Sequence, residues 1–442
     1  MTSTPQTTQT TQTAQRMHLL DALRFAAAMA VVLYHFTASP TADRYWGDAP
    51  TSEFAALENV VSYGWLAVEA FFIISGFAIL WSSQGRTLAQ YTGSRTGRLV
   101  PAFWACVLVT AVLQAAWSGG RQLTLGETLV NLTLTPDVFG VTSSQVVYWT
   151  LLVELKFYLL VALLLLLGPL TRGRVVTLAL AWPAVGFVVR GLGYPELAEH
   201  FVVRHSPYIG LGMLMFLLYQ DVTQRRAGQV PDSQDRRSTA VVLGAAGILL
   251  ALSVHEVLQA ADRAAELQGN PVDGRVAVAV LLVIIVAVWF SMHPRAVVRS
   301  RRLAAACTLG GALTYPLYLV HTQFGWAVTE VFSTAGAGVW VTLAAATGAS
   351  LLVALAIHYG AERVFSTPLR RAVTRALSRS DVATRSDGGT SATQGSSPTP
   401  RPDPAPATDP APVTAPTEET AGVAVERQTA RPRALAGAWS RG

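Results

Sequence analysis

Apolar residues fill long stretches of this chain, and polar residues gather in the segments between them. The stretches reach about 17–25 residues, the length that an α-helix needs to cross a bilayer. The predicted spans are 18–38, 60–83, 101–117, 146–169, 175–191, 206–220, 238–258, 275–292, 310–332 and 338–361. We therefore expect an all-α fold, a polytopic integral membrane bundle of about ten transmembrane helices.

The composition agrees with a membrane protein. Of the 442 residues, 51% are hydrophobic and 14% are charged, whereas a soluble protein carries about a quarter charged residues. This balance argues against a soluble enzyme or a nucleic-acid-binding protein. Cys106 and Cys307 lie in or beside apolar stretches and have no further cysteines to join, so they indicate neither a disulfide framework nor a metal site.

The positions of the arginines predict the orientation of the chain, because cytoplasmic loops accumulate positive charge. With the N-terminus inside, the inner segments hold Arg86, Arg95, Arg98, Arg172, Arg174, Arg225, Arg226, Arg236, Arg237, Arg295, Arg299, Arg301, Arg302, Arg363, Arg370, Arg371 and Arg375. The outer segments hold only Arg44, Arg121, Arg204 and Arg263. We expect a multi-pass protein of the plasma membrane with both termini in the cytoplasm.

The two ends of the chain differ from the rest in composition. Residues 1–16 are polar and lack the basic start and cleavage site of a signal peptide. Residues 380–442 are rich in Pro, Thr, Ala and Ser. Neither segment can bury a core, so both are predicted to be disordered.

The first apolar segment carries two ionisable residues, Arg24 and His35, which are costly in lipid and therefore suggest function. They are eleven positions apart, about three helical turns or roughly 16 Å, and share one helix face. Arginine stays charged, whereas neutral histidine can accept a proton near pH 7. The pair indicates an anion anchor and a base in a membrane-embedded active site.

Arg95 and Arg98 precede the third span and are three residues apart, so they are neighbours on one helix face. Pro101 suits the first turn of that membrane helix. Two guanidinium groups at an inner surface can hold phosphate oxygens. The alternative is a positive anchor that touches only lipid headgroups.

Two carboxylates lie within apolar helices. Glu69 could be catalytic or could neutralise an arginine on a neighbouring helix. Ser75-Gly76 in the same segment would let another backbone approach closely. Glu154 shares a helix face with Thr150 and Tyr158, which gives it polar and aromatic neighbours.

A polar stripe marks the ninth span, where Thr314, Tyr318 and His321 follow at i, i+4 and i+7 on a helix that contains Pro316. Packing and function are equally good explanations for His321. Farther on, His358 and Glu362 are spaced for a local contact at a helix end.

Six segments, taken in order, resemble the membrane-bound acyltransferase family 3. They are LDALRFAAAMAVVLYHF with its Arg-x10-His, FFIISGF after an acidic residue, RTGRLVPAF with its R-x-x-R, WTLLVELKFY, LTYPLYLVH and ERVFSTPLRR. The resemblance covers residues 17–372 as one acyltransferase transmembrane domain. It departs from the family at Lys156, where an acidic or amide residue is more frequent, and at Thr314, where serine is common.

The resemblance implies an O-acyltransferase that moves an acyl group, as acetyl, from cytoplasmic acyl-CoA to a hydroxyl of a cell-envelope carbohydrate, lipid or small acceptor. Arg95 and Arg98 would bind the phosphates of acyl-CoA, with help from Arg24. His35 would act as general base on the acceptor hydroxyl, or would carry the acyl group itself. No bound cofactor and no metal is implied, and the oligomeric state stays open.

The resemblance also suggests that Glu154 belongs with His35 and Arg24 to the catalytic residues, and it suggests supporting residues. Glu69 and Glu154 would orient the imidazole or pair with Arg24, and Tyr318 and His321 would line the acceptor side. Two other classes of function stay open. A permease or flippase for a glycolipid or acyl compound would use the same polar stripes without consuming acyl-CoA. A scaffold acting through its tail would leave the intramembrane charges unexplained.

Overall fold

The computed structural model describes residues 17–47, 54–230, 232–268 and 272–387, and every regular element in these ranges is helical. The helices are α1 (His18–Thr37), α2 (Asp43–Trp46), α3 (Ala55–Val61), α4 (Ala67–Ser83), α5 (Leu88–Ala116), α6 (Leu125–Asn131), α7 (Trp149–Leu166), α8 (Arg172–Gly191), α9 (Pro195–His200), α10 (Ser206–Arg226), α11 (Ser233–Gln268), α12 (Gly274–Met292), α13 (Arg301–Thr334), α14 (Val339–Ile357) and α15 (Arg363–Asp387). The predicted tail 1–16 and residues 388–442 of the second tail lie outside the described residues.

Within the described ranges, nine helical segments are long and apolar enough to cross a membrane, which confirms the all-α membrane fold. The remaining predicted span, 206–220, is also helical and begins α10. Its residues 206–217 are buried among other helices. The helix continues through the polar segment 220–226, which lowers its mean hydropathy.

Close contact between α4 and α10 forms the centre of the bundle. Gly76 of α4 lies against the carbonyl of Ile209, and Gly212 of α10 lies against the carbonyl of Ile73. A Cβ atom at either glycine would overlap the opposing backbone. Small residues allow membrane helices to approach in this way, so the Ser75-Gly76 step acts as the sequence suggested.

Helix α1 packs along α13, which in turn packs along α14. Gly325 of α13 gives room to the ring of Phe36, the residue after His35. Two indole groups hold the end of α1: Trp46 donates to the carbonyl of Phe36 at 2.7 Å, and Trp326 donates to the carbonyl of His35 at 3.2 Å. The backbone around His35 is therefore fixed from two sides.

Helix α5 begins thirteen residues before the span predicted at 101–117. Thr87 and Gln90 form a capping box that satisfies backbone N–H groups at its first turn. Pro101 consequently lies inside the helix. The prediction that it occupies the first turn is wrong. Because the helix starts early, Arg95 and Arg98 belong to the same rigid element as the membrane-spanning segment.

Helices α14 and α15 are joined without a loop by a π-helical turn, His358–Glu362. His358 Nδ1 and Glu362 Oε2 are 2.8 Å apart across this turn, which confirms the local contact expected from their spacing. Helix α15 then lies against α5, where Gly93 and Gly97 face Thr374 and Ser366. It extends to Asp387, eight residues into the segment 380–442 for which disorder is predicted.

Candidate active site

A cavity of about 110 Å³ opens between α1, α4, α5, α7 and α13. Charged, hydroxyl and phenol side chains make up ten of its 18 lining residues. These polar residues are Arg24, Ser75, Arg95, Arg98, Thr150, Glu154, Tyr158, Thr314, Tyr315 and Tyr318. Polar groups that converge among apolar side chains in a concave site are typical of a small-molecule binding site. The cavity brings together five of the eight site residues predicted from the sequence.

Arg95 is held in place by neighbours on three helices. Its guanidinium group lies 5.8 Å from the ring centre of Tyr91 and 5.7 Å from that of Tyr158. Its Nη2 donates to Ser82 Oγ at 3.0 Å. Among the described residues, its buried Nε has no hydrogen-bond partner. An oriented arginine with a spare donor in the same cavity as Arg24 and Arg98 is suited to bind an anion.

Glu154 accepts hydrogen bonds from two hydroxyl groups in the cavity. Tyr158 donates at 2.6 Å and Ser75 donates at 3.4 Å, both to Oε1. Glu154 was expected to orient an imidazole or to pair with Arg24, and it lines the same cavity as Arg24. Its hydrogen bonds go to Tyr158 and Ser75, so it also organises the hydroxyl side of the cavity.

His35 and His321 form a pair between α1 and α13. His35 Nδ1 lies 3.3 Å from His321 Nε2, and the ring centres are 5.1 Å apart. His321 is fully buried and His35 is partly buried. The ring of Tyr318, which lines the cavity, is 5.8 Å from that of His321. The histidine pair therefore adjoins the cavity through Tyr318.

The surrounding carbonyl groups assign the protons of this pair. His321 Nδ1 lies 2.9 Å from the carbonyl oxygen of Tyr318, and His35 Nδ1 lies 3.0 Å from that of Val31. A carbonyl oxygen only accepts, so both Nδ1 atoms carry the proton in the neutral rings. His321 Nε2 then accepts from His35 Nδ1–H. The unshared electron pair of His35 is on Nε2, which can take a proton or an acyl group.

A buried amide that the sequence analysis missed supports the histidine pair. Gln145 accepts from the hydroxyl of Thr322, the residue after His321, and from the backbone N–H of Gln323 at 3.2 Å. Its own amide donates to Thr110 of α5 at 2.9 Å. Gln145 lies in a connection before α7, where no helical spacing identified it.

Glu69 lies away from the cavity, and its carboxylate faces His205 with 3.3 Å between Oε1 and Nδ1. The ring of His205 also contacts Phe72 and Trp149. The expected pairing of Glu69 with Arg24 or with the site imidazole is therefore absent from the described contacts. The packing explains the missing pairing with Arg24: Gly64, close before Glu69, packs against Ala30 and Tyr34 of α1, about two to three turns from Arg24.

No group of three or more His, Cys, Asp or Glu side chains in the described ranges could hold a metal ion. The site contains three guanidinium groups, a carboxylate bound by hydroxyl groups and, next to the cavity, a histidine whose Nε2 is unprotonated. These groups suit the binding of a polyanionic small molecule and a proton transfer next to it.

Comparison with known families finds one match that covers most of the chain, the acyltransferase domain family, at residues 17–359. No curated protein and no solved structure matches. The match includes α1, α4, α5, α7 and α13, which supply every cavity residue and the histidine pair. With its apolar helices and this domain, the chain is a multi-pass membrane protein that belongs to the acyltransferase 3 family.

Proposed function

We propose that this protein transfers an acyl group, as acetyl, from cytoplasmic acyl-CoA to a hydroxyl of a cell-envelope carbohydrate, lipid or other small acceptor. The observation that carries the proposal is the single cavity that joins Arg24, Arg95 and Arg98 to Tyr318 and, through it, to the histidine pair. Such a cavity suits a donor with an anionic end and a reactive thioester end.

In this proposal Arg95 and Arg98 bind the diphosphate of acyl-CoA, and the pantetheine arm extends along the cavity towards Tyr318. His35 lies at the other end of α1 from Arg24. If the N-terminus is cytoplasmic, as the arginine distribution predicts, His35 is on the outer side, where the acceptor arrives. The proposal places the protein in the plasma membrane, with both termini in the cytoplasm.

Nε2 of His35 takes the proton of the acceptor hydroxyl while the hydroxyl oxygen attacks the thioester carbonyl. The carbon–sulfur bond breaks, and the proton passes to the departing CoA thiolate. The protonated imidazole shares its Nδ1 proton with the carbonyl of Val31 and with His321. Glu154, Ser75 and Tyr158 shape the path of the thioester.

The test is acyl-CoA consumption by purified protein in proteoliposomes, with cell-envelope glycans and lipids as acceptors. We expect His35→Ala to lower turnover by about 10²–10⁴-fold, because a general base contributes about that much, while CoA binding persists. Lys156→Ala is the matched control, since Lys156 donates to the carbonyl of His200 away from the cavity. Normal turnover in His35→Ala would contradict the mechanism. Acceptor movement without CoA release would favour a permease.

A further inference from the structure

Four arginines converge where the connection before α5 meets α15. Arg86 precedes α5, and Arg370, Arg371 and Arg375 belong to α15. Together with Gln90, Ser94 and Thr374, they line an open recess of about 450 Å³, here called the arginine recess. The recess shares no lining residue with the active-site cavity.

Close helix packing sets the position of the arginine recess. Gly93 of α5 lies against Thr374 and the carbonyl of Arg370, and Gly97 lies against the carbonyl of Ser366. A Cβ atom at either glycine would overlap these groups. The arginines of α15 are thus brought to α5 by two packed helices and not by a loop.

Among the described residues, no carboxylate balances the positive charges of the arginine recess. Within the described ranges, no carboxylate forms a salt bridge with any of its four guanidinium groups. Burial and the positive charges of Arg95 and Arg370 lower the pKa of Arg86 below its ordinary value. Like charges held together in this way favour an anionic ligand, and guanidinium groups favour phosphate.

The arginine recess and the active-site cavity lie on adjoining faces of α5. Arg95 and Arg98 face the cavity, whereas Gln90 and Ser94 of the same helix face the recess. Arg95 Nη2 is 3.5 Å from Ser94 Oγ, so the two regions meet there. A ligand in the cavity therefore lies next to the recess.

Acyl-CoA carries phosphate at two places. The diphosphate joins the pantetheine arm to the ribose, and a third phosphate is attached to the 3′ oxygen of that ribose, farther from the thioester. We infer that the arginine recess binds the 3′-phosphate of acyl-CoA while Arg95 and Arg98 hold the diphosphate. This inference rests on the proposed function and adds the residues that recognise the nucleotide end of the donor.

The experiment measures binding of CoA and of 3′-dephospho-CoA to the full chain in vesicles of phosphatidylcholine. Wild type should bind CoA about tenfold more tightly than 3′-dephospho-CoA, since charge-assisted contacts to a phosphate contribute that much. Arg370→Gln combined with Arg371→Gln should remove this preference. Its affinity for 3′-dephospho-CoA should stay unchanged, which also shows that the variant is folded.

Two matched variants separate local from general effects. Arg236→Gln combined with Arg237→Gln removes two adjacent exposed arginines from α11, which packs on α8, α10 and α12. This control should keep the preference for CoA. Arg95→Gln should weaken both ligands alike, because it acts on the diphosphate that both contain.

Contrary outcomes are distinct. Equal binding of the two ligands to wild type, or a preference that survives in the Arg370 and Arg371 variant, would overturn the assignment and leave the proposed function standing. No binding of either ligand to wild type would contradict the donor and the recess assignment together. A second measurement adds phosphatidylglycerol to the vesicles and compares how much of this lipid binds to wild type and to the Arg370 and Arg371 variant. If the variant keeps the CoA preference but binds less phosphatidylglycerol, the arginine recess binds lipid headgroups instead.

Discussion

At the scale of residues, backbone carbonyl groups, which do not titrate, hold His35 in one tautomer. The carbonyl groups of Val31 and Tyr318 fix the proton on Nδ1 of each ring, and the two rings meet at 3.3 Å. We therefore propose that His321 is a positioning residue for His35. In this proposal His321 Nε2 accepts a hydrogen bond from His35 Nδ1–H, which leaves His35 Nε2 available.

We expect His321→Phe to lower kcat by roughly 10- to 100-fold, the effect usual for a partner that orients a functional histidine. KM for acyl-CoA should stay the same, because His321 does not line the donor cavity. His321→Gln should recover part of kcat, since its amide oxygen can accept from His35. Steady-state kinetics of both variants check this. An equal loss in kcat for both, with a raised KM, would indicate a packing role only.

The sequence predicted which residues line the cavity better than it predicted which side chains contact each other. Arg24, Arg95 and Arg98 line the same cavity, as expected. The contact of His35 with His321 depends on how α1 and α13 are aligned, which no local pattern determines. For the same reason local spacing suggested Arg24 or the site imidazole as the partner of Glu69, whereas Glu69 contacts His205.

At the scale of elements, the apolar stretches predict which segments are helices but not where each begins. Helix α5 starts at Leu88 because Thr87 and Gln90 cap it, a short polar signal outside the apolar stretch. The close approach of α4 and α10 was indicated by Ser75-Gly76, but its partner, Gly212, is recognised only from the packing.

Gly76→Ala should lower the free energy of unfolding by about 1–3 kcal/mol, because its Cβ would overlap the backbone of α10. Gly244→Ala on α11 is the control: it has open space around it and should be neutral or stabilising by under about 1 kcal/mol. Thermal unfolding in detergent, with gel filtration to verify folding, measures both. Equal shifts in Tm for the two variants would show that α4 and α10 do not need this close contact.

At the scale of the whole molecule, the orientation in the membrane decides what each end of the site can meet. The arginines of α15 and the connection before α5 form one surface, and the proposed function requires that surface to be cytoplasmic. The inner and outer segments predicted from arginine counts give the same orientation. Loops on opposite sides can test it directly.

Val138 and Val230 are exposed residues in connections that are predicted to face outside and inside, respectively. Val138→Cys should react with a membrane-impermeant maleimide in intact cells. Val230→Cys should react only after the membrane is permeabilised. The unchanged chain is the control, because Cys106 and Cys307 are buried. The reverse labelling pattern would invert the orientation and place the arginine recess outside, where acyl-CoA does not occur.

The π-helical turn at His358–Glu362 makes the spacing between α14 and α15 critical. Each turn of this kind holds about one residue more than an α-helical turn, and one residue corresponds to about 100° of rotation. Loss of a single residue there would rotate Arg370, Arg371 and Arg375 away from α5 without altering any of them. A homologue that has all four recess arginines but lacks one residue at this point should therefore not form the same arginine recess.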